Sequence, residues 1–523
     1  MRRIMRGYRI LKNSKKLDAI ASVKKCLTVE INSINEGCFS RRIYGAGLKY
    51  AEKITTQYLL VKIGGLGLNK ALLYSVGEEG GRVIYPLPKF WRRVIESHNF
   101  KVSNFWCSLL WQLYIILYLG FGLLKVLKIF LSGAGDFKSK NSSNKCSSYV
   151  YFDGLVEGNL QNEIEGRRNI FSWYLQWHGR KKNIQSLKHN VGACSAQINL
   201  AKHRIEFQRS PVPSLVGLIS RLQYLSWGLT ASLIAFVDAL RGHWWHAFLL
   251  NQAADLGKVI HTKPHMMARE YLFHNSGWIY RPLWTYEAEA RGSEISFYFY
   301  STNCENFMKK DGSTSISYGW KAMTWSRYLV WDDRQAEYIK EAVGIQNISV
   351  VGEIWFLNGM QFDAPIAFDV AVFDVQPVRN SFYCTLGLEI EYYRPNTSIL
   401  FLSDIYNLLS DRMVVALKIK REINKLAHPQ YVEYLKGLAL SPNFLNIDSK
   451  VYSVDIIEKC IAVISMPFTS TAIQGRAAGK PSVYYDPEGL IEKNDPAAHG
   501  IPIISGKLEL EHWISRLAKS NTN

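Results

Sequence analysis

The sequence lacks the cysteine and histidine patterns that hold metal ions or cross-link small folds. Its eight cysteines are scattered over 523 residues, with no C-x-x-C pair and no Cys/His cluster. Zinc sites and disulfide frameworks need closer or more regular spacing, so neither is expected. The basic amino terminus is also followed by no apolar segment of the kind that a cleaved signal peptide requires. These absences indicate a reducing, cytoplasmic environment.

Acidic residues are scarce relative to basic ones. The 63 Lys and Arg residues outnumber the 44 Asp and Glu residues, the net charge is +19, and residues 1–16 contain seven basic residues and no acidic one. This excess suits nucleic acid, an anionic membrane surface or phosphorylated substrates. No RNP-like, zinc-finger or helix-turn-helix signature is present, so nucleic acid is not expected as a partner. A membrane surface together with a sugar phosphate is the better interpretation.

One long apolar segment stands out. Residues 105–124 carry no charge over about one bilayer thickness of helix, and the apolar pattern continues to residue 131. Three interpretations remain open: a transmembrane span, an interfacial helix with its Trp and Tyr side chains near the headgroups, and a buried core helix. Gln112, Gly120 and Gly122 weaken the first. Residues 215–250 are also largely apolar, and core packing is the preferred interpretation there.

Strands alternate with helices over most of the remaining chain. One such series opens at Tyr149–Asp153 and a second at Phe368–Asp374. This alternation favours parallel, doubly wound sheets. We therefore predict an α/β protein with two Rossmann-type domains facing across a cleft. The predicted units are a basic arm (1–57), a region containing the apolar helix (58–147), a first Rossmann-like domain (148–357) and a second one (366–523).

The most informative stretch lies where a buried strand of the second domain ends. The strand Val463–Ser465 leads into the hydroxyl-bearing residues Thr469, Ser470 and Thr471, which open a helix. Thr469 or Ser470 can cap that helix. A helix amino terminus at the carboxyl end of a parallel strand attracts anions such as phosphate. A plain capped helix is the alternative interpretation.

Basic side chains follow the neighbouring strand. Lys418 ends that strand, and Lys420 and Arg421 come directly after it. His428-Pro429 then opens the next helix. Basic groups at this edge of a sheet can neutralise phosphate charge. A His before a Pro is also common at an ordinary helix start, so the two interpretations of His428 stay open.

At this point the residues resemble a known family. The pattern S-x-P-F-T-S-T-A, helix, G-K-P-x-x-Y-Y-D-P over residues 465–487 resembles bacterial polysaccharide or surface carbohydrate biosynthesis proteins, from about Tyr58 to the end of the chain. More loosely, the second domain is similar to the donor domain of GT-B glycosyltransferases that use CMP-activated keto sugars (sialyl and Kdo transferases). In those enzymes an HP motif and a Ser/Thr turn hold CMP. The corresponding residues here are His428 and Pro429, together with Thr469, Ser470 and Thr471.

The resemblance implies a glycosyltransferase that moves a sugar from a nucleotide-activated donor to a growing, lipid-linked surface polysaccharide. A CMP-keto sugar is favoured because no clear E-x7-E donor motif is present. The protein is expected on the cytoplasmic side of the inner membrane, peripheral or held by one anchor. No cofactor is expected, and the absence of an Asp-x-Asp motif implies no obligatory metal. The alternatives are a UDP-sugar epimerase of the same fold and a non-catalytic scaffold of an assembly complex.

Catalysis in such an enzyme needs a general base near the acceptor hydroxyl. The candidates from the first, acceptor-side domain are Asp153, Glu287 and Glu289. Asp153 ends a buried strand, where an unpaired carboxylate is costly. Glu287 lies six residues after Arg281 and about one helical turn after Trp284, so an ion pair with Arg281 is its alternative explanation.

The departing phosphate also needs cationic or dipolar stabilisation. Arg281 and Arg379 are the residues chosen for contacts with phosphate or an acidic sugar. Asp374 ends the first strand of the second domain near Arg379, and it either lines the cleft or binds the adjoining turn.

Overall fold

Two β-sheets, each flanked by helices, form the framework of the protein. The computed structural model describes residues 2–16, 19–20, 22–23, 25–27, 38–132, 149–156, 170–179, 184–192, 198–200, 203–275, 280–302, 307–308, 312, 320, 323–344, 347–354, 362, 368–379, 392–420 and 422–520. One sheet lies in the first predicted Rossmann domain and the other in the second.

The first sheet has eight strands in the order β3-β4-β2-β1-β5-β6-β7-β8. Only β3 and β4 pair antiparallel, at one edge of the sheet, and all other neighbours are parallel. The strands are β1 (Tyr149–Phe152), β2 (Ser186–His189), β3 (Ile198–Leu200), β4 (His203–Phe207), β5 (Glu270–His274), β6 (Glu294–Tyr298), β7 (Arg327–Val330) and β8 (Ile348–Val350).

The second sheet has six parallel strands in the order β11-β10-β9-β12-β13-β14. They are β9 (Val370–Phe373), β10 (Val415–Lys418), β11 (Phe444–Ile447), β12 (Ala462–Ser465), β13 (Ser482–Asp486) and β14 (Ile503–Ser505). In both sheets the chain moves outwards from a first strand, then returns to that strand's other side and continues the opposite way. The prediction of two doubly wound domains is confirmed.

The described helices fall into three groups. The amino-terminal group is α1 (Arg2–Asn13), α2 (Arg41–Tyr44), a 3-10 segment Gly45–Tyr50, α3 (Ala51–Lys62), α4 (Leu66–Val76), α5 (Lys89–Ser97) and α6 (Asn104–Ser132). The first domain contributes α7 (Ile170–Tyr174), a π-helical turn Leu175–Gly179, α8 (Leu218–Leu240), α9 (Trp245–His261), a 3-10 turn Pro264–Met266, α10 (Leu283–Ala290) and α11 (Asp333–Val343). The second domain contributes α12 (Pro395–Leu409), α13 (Pro429–Leu438), α14 (Ser453–Lys459), α15 (Ser470–Ala477), a 3-10 turn Pro496–Ala498 and α16 (Gly506–Ser520).

The central strands are apolar on both faces because helices cover both faces of each sheet. All four residues of β1, β9 and β12 are buried. Such continuous burial is typical of parallel sheets and explains why these strands read as uninterrupted apolar runs rather than alternating ones.

The described part of the predicted basic arm includes a helix that packs on the following region. Helix α1 packs on α4, where a Cβ atom on Gly7 would lie 1.9 Å from the carbonyl oxygen of Leu73. A single parallel bridge joins Val83 and Val102, and α5 lies between these two residues.

A layer of three long helices covers one side of the first domain. Helix α9 lies innermost, and α6 and α8 both pack on it and on each other. Close approach depends on small residues. A Cβ atom on Gly228 of α8 would lie 2.3 Å from Val126 Cγ1 of α6, and one on Gly122 of α6 would lie 2.5 Å from Leu250 Cγ of α9.

The crossing of α6 and α8 should therefore not tolerate a methyl group. Gly228→Ala is expected to lower the free energy of unfolding by about 1–3 kcal/mol, because the close-packed crossing must open. Gly120→Ala is the matched control, since a Cβ atom there meets nothing within 4 Å. Ala favours helix over Gly, so the control should be neutral or gain about 0.5–1 kcal/mol. Thermal or urea denaturation measures both; equal stability of the two variants would contradict the packing described.

Candidate functional site

Three strand ends of the second sheet lie side by side at its carboxyl edge. Lys418 of β10 and Ser465 of β12 both pair in register with Phe373 of β9, and Asp374 follows β9 directly. The strand order reverses between β9 and β12. In open parallel sheets, ligands bind in the crevice outside the carboxyl ends of the strands at such a reversal.

Asp374 is a buried carboxyl group with an unused acceptor. It is 2% exposed, and the Tyr431 hydroxyl of α13 donates to its Oδ2. Its Oδ1 has no hydrogen-bond partner among the residues that the structure describes. Burial raises the pKa of Asp374 to about 6. Buried polar atoms are nearly always paired, so Oδ1 invites a donor from a ligand.

Two further basic residues lie in the segments that follow β9 and β10, which an isolated bridge between Val378 and Ala427 joins. The backbone N–H of His428 donates to the Pro377 carbonyl, and its ring Nδ1 is buried without a partner within the described part of the chain. Burial, together with the nearby guanidinium of Arg379, lowers the pKa of His428. Arg379 is half-buried, and its guanidinium makes no hydrogen bond or ion pair with any described residue. Pro429 is the first residue of α13.

The two predicted lysines differ in position. Lys418 is half-buried, donates to the Ser449 carbonyl at 3.1 Å, and has a pKa lowered by burial. Lys420 is exposed beyond the strand end. Arg421 lies outside the described residues. The structure thus brings Lys418, His428 and Arg379 to the same edge as Asp374.

The hydroxyl-bearing turn is present, although it does not cap its helix as predicted. Thr469 occupies the N-cap position of α15, but its side chain makes no capping bond to the helix N–H groups. Its Oγ1 donates to the Met466 carbonyl at 2.9 Å, and Ser465 Oγ lies 2.9 Å from Thr471 Oγ1. These hydroxyls therefore bond within the turn. The Ser470 hydroxyl has no partner among the described residues, and the helix N–H groups are left for an anion.

The turn faces the first domain. The Phe468 ring lies 4.9 Å from that of Phe307, which follows β6. Two polar contacts also join the two domains: the Met308 N–H donates to Asp495 Oδ2 at 2.8 Å, and His499 Nδ1 lies 2.8 Å from Asp332 Oδ2. All of these residues follow strand ends. The carboxyl edges of the two sheets therefore face each other, as predicted.

Asp153 lies at the equivalent reversal of the first sheet, between β1 and β5. Its N–H donates to the Leu272 carbonyl at 2.9 Å, and its side chain is buried. His274, at the end of β5, contacts the Gly154 carbonyl through Nε2 at 3.0 Å, and burial lowers its pKa. Sequence reasoning missed His274, because its closeness to Asp153 becomes visible only when β5 is known to pair with β1.

Arg281 is committed to internal bonds. Its side chain is 1% exposed and forms a 2.7 Å ion pair with Glu289. Its other donors contact Thr285, the Thr324 carbonyl and Ser326. A guanidinium whose donors are all used has none for a phosphate, so the geometry argues against the predicted ligand contact. It also gives Glu289 a structural partner instead of a catalytic task.

Glu287 is likewise a structural residue. It accepts from the Ala46 N–H at 3.3 Å and from the Arg291 guanidinium at 3.2 Å. Arg291 follows the end of α10 and precedes β6, so this cluster lies near the amino edge of the sheet, opposite the cleft. The geometry therefore argues against Glu287 and Glu289 as catalytic bases.

A cavity of about 760 Å³ lies between the two domains, away from the turn. Trp173, Trp177 and Trp331 line it from the first domain, and α14 and α15 close it from the second. Burial raises the pKa of Glu353, which lines the cavity, to about 7, against the opposing effect of Arg476. Because Arg476 lies in the last turn of α15, this cavity is at the far end of that helix from Ser470.

Comparison with known proteins gives one family. The sequence model of polysaccharide biosynthesis PFTS motif proteins matches residues 227–514, a range that contains the whole second sheet. No curated protein matches the chain.

Several solved structures are similar at low identity. UDP-GlcNAc 2-epimerase from Methanocaldococcus jannaschii is 8% identical, with 71% of this chain and 91% of that chain covered and a TM-score of 0.36. The glycotransferase of kitacinnamycin is 12% identical over 71% and 91%, with a TM-score of 0.35. An Anabaena protein solved with UDP and glucose is 8% identical over 72% and 91%, with a TM-score of 0.35. At these TM-scores the likenesses carry no argument, and the fold assignment rests on the strand order.

Asp374 should make the protein less stable at neutral pH. Its folded-state pKa of about 6 exceeds the ordinary 3.8. Below about pH 4 the carboxyl group is protonated in both the folded and the unfolded state and costs no stability. The folded protein loses stability as the pH rises from there through 6. Asp374→Asn is expected to raise the free energy of unfolding by about 1–3 kcal/mol at pH 7.5 and to gain little near pH 4. Melting temperatures from pH 4 to 8 measure this. A difference that stays flat with pH would contradict a buried, strained carboxylate.

Proposed function

Because the chain belongs to the polysaccharide biosynthesis PFTS motif family, we propose that it is a glycosyltransferase. The proposed reaction moves a sugar from a nucleotide-activated donor, held at the carboxyl edge of the second sheet, to a lipid-linked polysaccharide acceptor approached from the first. The proposed location is the cytoplasmic side of the inner membrane. The four cysteines within the described residues are free thiols, which suits that compartment.

The observation that carries the proposal is a set of unsatisfied groups at the carboxyl edge of the second sheet. Asp374 Oδ1 and His428 Nδ1 are buried without partners in the described part of the chain, and the Arg379 guanidinium is unpaired there. They lie at the edge where the strand order reverses, as does the amino terminus of α15, whose N-cap residue Thr469 makes no side-chain capping bond. An acceptor, a ring nitrogen, a fixed cation and a positive helix end together suit a nucleotide better than any smaller anion.

Each group has a task in this proposal. The phosphates lie between the Arg379 guanidinium and the amino end of α15, with Ser470 as a further donor. Lys418 adds positive charge one strand away, and exposed Lys420 contributes less. Asp374 Oδ1 accepts a hydroxyl or amine of the nucleoside. These cations and the helix end supply the charge that a departing phosphate needs, so the proposed mechanism runs without a metal ion.

The favoured donor is a CMP-activated keto sugar. The support is the HP motif, His428 and Pro429, followed by the Ser/Thr turn, which resembles the CMP site of keto-sugar transferases. A UDP-sugar donor is the other choice, and with it the epimerase alternative. The two differ in product: a transferase consumes the donor and releases nucleotide, whereas an epimerase changes the sugar and keeps it attached.

Asp153 is the proposed general base on the acceptor side. It is the one predicted carboxylate that lies at the carboxyl edge of the first sheet, and this edge faces the donor site. His274 shares the reversal and is proposed to position the backbone around Asp153 through Gly154.

Arg379 should matter for nucleotide binding and little for folding. Thermal-shift titrations with CMP, UDP and GDP are expected to raise the melting temperature with at least one nucleotide. Arg379→Ala should weaken that nucleotide's affinity by about 10–100-fold, because it removes a charge-assisted contact. Arg412→Ala, exposed at the opposite edge of the same sheet, is the control and should bind normally. If no nucleotide shifts the wild type, or if both variants bind alike, the donor site is elsewhere.

Asp153 should matter for turnover and little for donor affinity. Asp153→Asn is expected to slow donor consumption by about 100-fold or more, because general-base help is lost. Its nucleotide thermal shift should equal that of the wild type. Nucleotide release measured with each activated sugar provides the rate, and Asp411→Asn, an exposed carboxylate of the second domain, is the control. Full activity of Asp153→Asn would remove the residue from the mechanism.

A further inference from the structure

Helices α6 and α8 expose apolar side chains to an unusual extent. On α6, Phe105 is 70% exposed and Ile116 is 63% exposed; on α8, Ile219 is 74% exposed and Leu233 is 62% exposed. Further exposed apolar residues of the pair are Trp106, Leu109, Leu113, Leu117, Phe121, Leu124, Leu131, Leu218, Leu222, Leu229, Phe236 and Leu240. Core packing, the interpretation preferred for residues 215–250, is therefore correct for only one side of α8.

On the two helices, one charged side chain is exposed, that of Lys128 near the carboxyl end of α6. Helix α6 has none before Lys125, which turns inwards to Asp255. Helix α8 has two, and both turn inwards: Arg221 donates to the Phe130 carbonyl at 2.9 Å, and Asp238 pairs with His246. The exposed polar residues of α8 are the uncharged Gln223, Ser226 and Thr230.

The two helices form one surface. They run antiparallel, with Arg221 beside Phe130 near one end and Gly228 against Val126 further along. Their buried sides both contact α9, so their exposed sides point away from it. A pair of helices of this length covers about 35 Å by 20 Å, roughly 700 Å². The largest apolar patch of a typical monomer is about 300–600 Å².

The inner side of α6 is fixed to protein along its length, which excludes lipid from that side. Trp111 stacks on Phe248 of α9 at 5.4 Å. Lys125 Nζ lies 2.6 Å from Asp255 Oδ2 and 3.1 Å from Asn251 Oδ1, both on α9. Helix α6 is long and apolar enough to cross a membrane. A span, however, would take α9 and its charged residues into the bilayer as well.

Basic residues lie around this surface. Residues 1–132 contain 22 of the 63 Lys and Arg residues and 7 of the 44 Asp and Glu residues. The Arg92 guanidinium donates to the Asn104 carbonyl, where α6 begins, and Phe90 of the same helix stacks on Trp244 beside α6. Exposed basic residues near the two ends of the pair are Lys89, Arg93, Lys101, Lys128 and Arg241. Anionic lipid headgroups match this rim.

We propose that the exposed sides of α6 and α8 together form a docking surface for an anionic phospholipid bilayer. The pair lies in the plane of the membrane and enters one leaflet, as interfacial amphipathic helices do. The cleft between the two sheets then remains in water next to the headgroups, where a lipid-linked acceptor would be presented. This docking does not depend on the proposed catalytic activity.

Vesicle flotation of the full-length protein tests the surface. The wild type should float with vesicles of phosphatidylcholine containing about one-third phosphatidylglycerol, and its apparent affinity for phosphatidylcholine alone should be weaker by about tenfold. Ile116→Glu on α6 and Leu233→Glu on α8 should each lower binding by about tenfold or more, since each places a charge in the leaflet. Leu440→Glu, at a residue 88% exposed in the second domain, is the matched control and should float like the wild type.

The outcomes separate the alternatives. If Leu233→Glu floats normally while Ile116→Glu does not, α6 acts alone and the paired surface is wrong. If the wild type floats with neither vesicle, the surface does not bind lipid. If the protein is a dimer in solution that Ile116→Glu makes monomeric, the surface binds a second copy and not lipid. Circular dichroism and the melting temperature check folding, and Leu117→Gln with Leu229→Gln replaces any variant that melts early.

Discussion

The structure depends on one topological constraint, the reversal of strand order in each parallel sheet. Because parallel strands need crossover helices, a reversal sends successive helices to opposite faces and leaves a crevice between β1 and β5 in one sheet and between β9 and β12 in the other. The candidate binding and catalytic side chains lie at these crevices: Asp153 and His274 in the first, Asp374 in the second. Aromatic and polar contacts between strand ends hold the two edges face to face.

The crevice of the second sheet is built at a cost in stability. Among the described residues, Asp374 Oδ1 and His428 Nδ1 have no hydrogen-bond partner, although both atoms are buried. A bound group that donates to Asp374 Oδ1 and hydrogen-bonds to His428 Nδ1 would offset the cost of burying these two atoms unpaired. The amino end of α15 is also left without a side-chain cap from its own turn. The hydroxyls of Ser465 and Thr471 bond each other, and the N-cap residue Thr469 makes no capping bond. The groups that lower the stability of the protein are therefore the same groups that are proposed to bind the ligand.

Sequence patterns predicted both sheets and the location of the hydroxyl-bearing turn, because buried parallel strands and capping residues are local signals. They could not predict partners that are distant in the chain. Glu287 was a candidate general base, but the N–H of Ala46, 241 residues away, donates to it. Arg281 was a candidate ligand contact, but its guanidinium donates to the Thr324 carbonyl and to Ser326. The exposed side of α8 escaped prediction for a related reason. An apolar stripe shows that a helix face is apolar, but not what covers it.

The most direct measurement of the central claim is a crystal structure of the full-length protein soaked with CMP and, separately, with UDP. The account predicts phosphate oxygens within hydrogen-bonding distance of the Arg379 guanidinium and the first N–H groups of α15, with Asp374 Oδ1 accepting from the nucleoside. A nucleotide found instead in the cavity beside Glu353, or bound without contact to Asp374 and Arg379, would contradict it.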